Sequence, residues 1–193
     1  MDDLADRCLQ RYRDGDVDAM AELVEIYRRP LFGFILKMTE GRGDAEEIFQ
    51  EVWFRAIKRF SSFRKGNFLS WLFRITHNLI IDMARKNKRF VDVVADNDDS
   101  SGRLEEKLVD TEAGPGALVM DRDTGEHIRS AMKVLPPEQK AVFLMRVEAE
   151  LTFKEIAKIQ GVSINTALAR MQYALERLRN ELRDEYEVKG KVR

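Results

Sequence analysis

The chain has 193 residues, 44% of them hydrophobic, and a formal net charge of −1. That length and composition suit one large or two small buried cores. The longest apolar runs, "LFGFIL" and "AVFLM", fall far short of the ~20 residues of a membrane span, and the opening "MDDLADRCLQ" is polar and acidic, so no membrane insertion and a cytoplasmic location are expected. One cysteine, Cys8, excludes an internal disulfide; with only His77 and His127 beside it, no zinc-ligand spacing exists and no cofactor is expected.

Helical periodicity dominates, and no run alternates as a strand would, so an all-α fold is expected. A first short helix spans about 3–13, and "DGD" at 14–16 ends it and caps the next, which carries Val17, Met20, Leu23, Val24 and Tyr27 on one stripe. Pro30 is expected to kink or interrupt that helix before it resumes through Phe34 and Met38, because proline removes an internal hydrogen bond. "GRGD" at 41–44 makes a turn. Asp44 then stands as an N-cap with Glu47 three residues on, opening a helix with Ile48, Val52, Ala56 and Ile57 inward. After the loop "SSFRKG" (61–66), a helix over 67–89 sets Phe68, Trp71, Leu72, Ile75, Leu79 and Met83 on one face. It carries an exposed-looking Asn78 and a lone Asp82, and ends in a basic cluster.

Periodicity fails from 91 to 116, where 26 residues hold eight acids and no aromatic. This stretch is expected to be a flexible acidic linker. Four more helices follow, at about 117–134, 137–148, 152–159 and 163–186. The predicted architecture is therefore two small helical domains, 1–90 and 117–193, on that tether. The charge is segregated in the same way: residues 59–90 hold 8 basic and 1 acidic residue, and 91–127 hold 3 basic and 11 acidic. A net +7 block joined to a net −8 block suits a polyanion-binding surface followed by a solvated tether.

Two constellations carry chemistry. In "LTFKEIAKIQGVSINTALARMQYALERLR" (151–179), Thr152 and Glu155 form a capping box, Ala157 permits a close helix crossing, Gly161 allows the tight turn, Val162 plugs the corner and Ser163 caps the next helix. That is the spacing of a DNA-binding helix-turn-helix, whose second helix enters the major groove. Ala167, Met171, Ala174 and Leu178 are expected to face the core. Asn165, Thr166, Leu168, Ala169, Arg170 and Tyr173 are expected to face DNA beside the capping Ser163, with Arg170 able to pair with guanine or phosphate.

The second constellation interleaves Phe60, Phe63, Phe68 and Trp71 with Arg59, Arg64, Lys65 and Arg74, which suits single-stranded nucleic acid. Aromatic faces stack bases at roughly 1–3 kcal/mol each while cations follow the backbone. Phe68 and Leu72 are read as core, while Phe63 and Trp71 stand between core and base-stacking roles. Arg85, Lys86, Lys88 and Arg89 form a phosphate-binding patch. The acids Asp44, Glu46, Glu47 and Glu51 read as a capped, exposed helix face that can serve a basic protein partner, rather than as a metal site.

Taken together, these motifs resemble the bacterial RNA polymerase sigma factors of the extracytoplasmic-function class, from about Leu4 to Arg179. "DAEEIFQEVWFRAIKRF" is similar to the family's polymerase-binding segment, "FLSWLFRITHNLIIDMARKNKR" to its promoter-melting and −10-reading helix, and "LPPEQKAVFLMR" with the helix-turn-helix to its −35-reading domain. The resemblance implies that Asp44, Glu47, Gln50, Glu51 and Trp53 dock on core RNA polymerase. It implies that Phe63, Arg64, Lys65, Trp71, Arg74, Asn78, Asp82, Arg85 and Lys86 melt and read the single-stranded −10 element, the 61–66 loop holding a flipped base. The linker corresponds to the segment threading toward the active centre, and an anti-sigma factor is the implied regulator. The upstream-reading helix departs from the family, with Leu168, Gln172, Tyr173 and Leu175 where lysine and arginines are common, which implies a weaker or more apolar contact with double-stranded −35 DNA. Two rival readings are a helix-turn-helix regulator driven by an N-terminal sensor and a sigma-like decoy that sequesters an anti-sigma factor. Neither is an enzyme.

Overall fold

A computed structural model describes residues 2–39, 45–64, 66–92 and 131–190, the side chains of residues 2–3, 87–92 and 184–190 excepted. Among the described residues there are seven α-helices and no strand. They are α1 (Asp2–Arg13), α2 (Asp18–Met38), α3 (Ala45–Lys58), α4 (Phe68–Asp92), α5 (Pro137–Val147), α6 (Phe153–Gln160) and α7 (Ile164–Gly190), with 3-10 turns at Phe60–Ser62 and Met132–Val134. Asp44, Lys65, the expected linker beyond Asp92 and most of the helix expected over 117–134 lie outside the described residues. No described helix is long and apolar enough to cross a membrane, and no described group of three or more His, Cys, Asp or Glu residues is placed to hold a metal ion.

The first four helices pack as one bundle and the last three as another. In the first, Leu23, Leu31, Phe34 and Ile35 of α2, Val52 of α3, and Leu72 and Phe73 of α4 have essentially no exposed surface. Each such side chain contributes about 1.5–3 kcal/mol on burial. Phe34 and Phe73 meet edge to face, centroids 4.9 Å apart. Buried Thr76 donates its hydroxyl to the Leu72 carbonyl at 2.9 Å, so α4 buries that polar group with a partner.

Three local expectations need correction. Of the expected kink or interruption at Pro30, the interruption does not occur: α2 runs as one helix through it. The proline removes the donor for the Ile26 carbonyl, a cost of about 3 kcal/mol. Buried Leu23 and Tyr27 before it, and Leu31, Phe34 and Ile35 after it, hold both halves of the helix to the same core. Val17 is exposed, because the buried stripe begins with Ala19 and Met20. Ile57 is 45% exposed, and Trp53 takes the inward position on α3 at 5%. Trp53 packs against Phe49 and Phe68 with centroids 6.3 and 6.4 Å away.

In the second bundle the capping box forms as expected: the Glu155 amide donates to Thr152 Oγ1 and the Thr152 amide donates to Glu155 Oε2 at 2.8 Å. Gly161 adopts the left-handed conformation, φ 68°, that closes α6 and that side chains disfavour. The Thr166 amide then donates to Ser163 Oγ at 3.0 Å, opening α7. Ala167, Ala174 and Leu178 are buried, and Met171 packs on the core from a half-buried position. The two bundles touch along α4 against α6 and α2 against α5, with Lys37 paired to Glu148 across the seam.

Candidate nucleic-acid interface and docking face

Burying one face of α3 leaves the opposite one to solvent. Glu47, Gln50 and Phe54 recur there at helical spacing, with Glu51 beside them and Phe54 61% exposed. Together with Arg55 they line a shallow, open depression. Arg55 Nε donates to Glu51 Oε1 at 2.6 Å, an i,i+4 pair that holds the carboxylate in place. Of the residues expected on this face, Glu47, Gln50 and Glu51 are present. Trp53 is not: it lies in the core, where it supports the helix from behind. Phe54 occupies the outward aromatic position, which the sequence does not reveal, because α3 offers two adjacent aromatics and its pattern alone does not choose between them.

On α4 the core stripe leaves a continuous outward strip of Arg74, Asn78, Asp82 and Arg85, all exposed, with Lys86 next to it and half-buried Trp71 at its N-terminal end. The helix starts where Asn67 Oδ1 accepts from the Ser70 amide at 3.1 Å. Trp71 belongs to an aromatic group at the foot of this strip: its ring lies 5.4 Å from both Phe63 and Phe68. Phe63 is only 7% exposed and meets Phe68 at 5.0 Å. Phe63 is therefore the inner anchor of the 60–64 loop, and exposed Arg64 is its outer face.

On α7, Asn165, Leu168 and Tyr173 are exposed together with Ser163, Gln172 and Leu175; Thr166, Ala169 and Arg170 are half-buried. Arg170 Nη1 donates to Gln160 Oε1 at 2.8 Å, and Gln160 Nε2 donates to the Glu138 carbonyl at 3.0 Å. Arg170 thus ties α7 to the end of α6 and the start of α5. A second outward stripe on α7, Ile164, Leu168 and Leu175, is apolar and exposed.

Comparison with known proteins matches two stretches of the chain to family models. Residues 23–90 match Sigma-70 region 2 and residues 126–178 match Sigma-70, region 4, together well over half of the chain. The ECF RNA polymerase sigma factor SigW of Bacillus subtilis (strain 168) is 29% identical over 178 residues, 91% of this chain and 95% of that protein. RNA polymerase sigma factor CarQ of Myxococcus xanthus is 29% identical over 176 residues, 90% of this chain and 95% of that protein. Among solved structures, the sigma factor RpoE in complex with the anti-sigma factor NepR, from Bartonella quintana, is similar in fold, with a TM-score of 0.66 at 23% identity over 86% of this chain and 98% of that one. CnrH in complex with the cytosolic domain of CnrY gives a TM-score of 0.61 at 18% identity, covering 94% of this chain and 96% of that one.

Proposed function

The chain belongs to the sigma-70 family, in its extracytoplasmic-function class, and on that premise we propose how its surfaces divide the work of an alternative sigma factor directing promoter-specific initiation by core RNA polymerase. The outward face of α3, with Asp44 ahead of it, docks on the polymerase through Glu47, Gln50, Glu51 and Phe54. Carboxylates around an exposed aromatic suit a basic partner with an apolar notch. The α4 strip and the 61–66 loop take the separated −10 strand, and α7 reads the −35 duplex through Asn165, Leu168 and Tyr173. Residues 1–90 and 117–193 are the two functional domains, and the acidic segment between them is the tether. The chain contributes binding energy and melting; the nucleotidyl transfer is the polymerase's.

The observation that carries this reading is the α4 strip itself. Arg74, Asn78, Asp82 and Arg85 are aligned and exposed on a helix whose other side is locked into the core, a rigid platform for a polyanion. The conventional-regulator alternative has no use for such a strip. An anti-sigma factor is a further proposed partner, on the apolar stripe of Ile164, Leu168 and Leu175. The test is open-complex formation: holoenzyme made with this chain should render −10 thymines reactive to permanganate on duplex promoter DNA. Asn78→Ala holoenzyme should do so only on a pre-melted bubble. Equal reactivity with Asn78→Ala on duplex DNA would remove α4 from the melting step.

A further inference from the structure

The family match to region 2 begins at residue 23, so α1 precedes it, yet α1 ends against the loop assigned to the flipped base. Its last residue, Arg13, reaches across 50 positions of sequence: one terminal nitrogen, Nη2, donates to the Phe63 carbonyl at 3.4 Å and to the Arg64 carbonyl at 3.2 Å. The same guanidinium lies 6.0 Å from the Phe60 ring centroid and 5.8 Å from that of Phe63. Tyr12, next to it, meets Phe60 edge to face at 4.6 Å.

We propose that Arg13 is a positioning residue for single-strand capture, clamping the backbone of the 60–64 loop so that its outer face is preformed for an unstacked base. This rests on the reading of that loop as the −10 base site. Each contact is weak alone: the hydrogen bonds are long and the ring distances sit near the ~6 Å limit for a cation–π interaction. Their strength is geometric. Phe63 is anchored inward by its ring, packed on Phe68 and Trp71, while its carbonyl and the next are held from outside. The short 3-10 turn Phe60–Ser62, just before Phe63, is closed by Ser62 Oγ donating to the Arg59 carbonyl at 2.6 Å. A loop fixed on both sides loses little conformational freedom when a base arrives, which is how preorganisation raises affinity. Arginine suits the task because one nitrogen of its planar guanidinium donates to both carbonyls while the plane reaches the Phe60 and Phe63 rings; lysine offers a compact point charge with no such plane.

The clamp and its purpose are tested separately on the full chain. Limited trypsin digestion reads the clamp: in Arg13→Ala, cleavage after Arg64 should quicken by about tenfold while cleavage elsewhere keeps its rate, reporting local opening. Unchanged cleavage there overturns the clamp whatever the loop does. Holoenzyme binding to a single-stranded −10 oligonucleotide reads the purpose. Arg13→Ala should bind about tenfold more weakly with polymerase affinity and melting temperature retained, Arg13→Lys about threefold more weakly, and the salt slope should stay that of wild type. A slope reduced by about one marks Arg13 as a phosphate contact instead and overturns the proposal. So does an equal loss in Arg7→Ala, which removes a charge from exposed α1 surface without touching the loop. If wild-type holoenzyme binds single- and double-stranded −10 DNA alike, the loop reading itself falls, and the digestion result still decides the clamp.

Discussion

Arg170 on α7 acts on His77 on α4 across the seam between the two bundles: the imidazole is 7% exposed, its Nδ1 has no hydrogen-bond partner, and the guanidinium opposes its protonation. Burial is the main reason the His77 pKa is held below its ordinary 6.5; Glu138 of α5 works against that shift and Arg170 adds to it.

A pH dependence follows from this pair. The unfolded chain takes up a proton at His77 as pH falls through 6.5, and the folded chain does not until its lower value is reached, so the folded state loses stability as pH drops below about 6.5. Above 6.5 that contribution is fully present. Urea unfolding between pH 7.5 and 5.5 should show a falling midpoint, and His77→Gln should flatten that part of the dependence. Identical slopes for the two proteins would show that His77 does not titrate at the seam.

Docking and packing separate cleanly on α3. Glu47→Lys with Glu51→Lys, or Phe54→Ala alone, should weaken polymerase binding by about tenfold with an unchanged melting temperature, as for interface side chains near a hot spot. Trp53→Ala should instead cost about 3–5 kcal/mol of stability, because it empties a core position. Thermal melts and a pull-down with core polymerase check both. A stable Trp53→Ala protein that fails to bind would return Trp53 to the docking face.

Recognition of upstream DNA should rest on few cations. Arg170 is held by Gln160, and Asn165, Leu168 and Tyr173 are the exposed side chains to which the proposed reading of the −35 duplex falls. Asn165→Ala should relax preference at one −35 position, by roughly 1–3 kcal/mol of discrimination. Arg170→Ala should both lower affinity and destabilise the helix-turn-helix, by about 1 kcal/mol for the lost hydrogen bond. Competition binding across a −35 library, with melting curves, distinguishes them; Arg170→Ala that changes one base preference at full stability would place its side chain in the groove.

Legibility in the sequence tracked the range of the interactions. The helix-turn-helix was readable residue by residue because capping, a left-handed glycine and a close-crossing alanine are local chemistry, and Thr152, Gly161 and Ser163 do what their spacing predicts. The all-α class was readable for the same reason. Choices at the edge of a stripe were not: Trp53 and Ile57 exchange their expected faces because Phe49 and Phe68, one of them on another helix, define where the core lies. Pro30 does not end α2, because the packing on either side overrides its propensity. Arg13 was invisible, since no local pattern announces a donor whose acceptors are 50 and 51 residues away.

The central claim is tested most directly by run-off transcription with purified core polymerase on a promoter selected from a random library. Adding this chain should produce discrete transcripts absent with core alone, from starts sharing one −10 and −35 pair. Asn78→Ala should abolish them on duplex templates and restore them in part on a pre-melted bubble. If the chain binds DNA by itself and yields no chain-dependent initiation on any template, it is a regulator or a decoy, and the polymerase-docking role of α3 and the melting role of α4 are both contradicted.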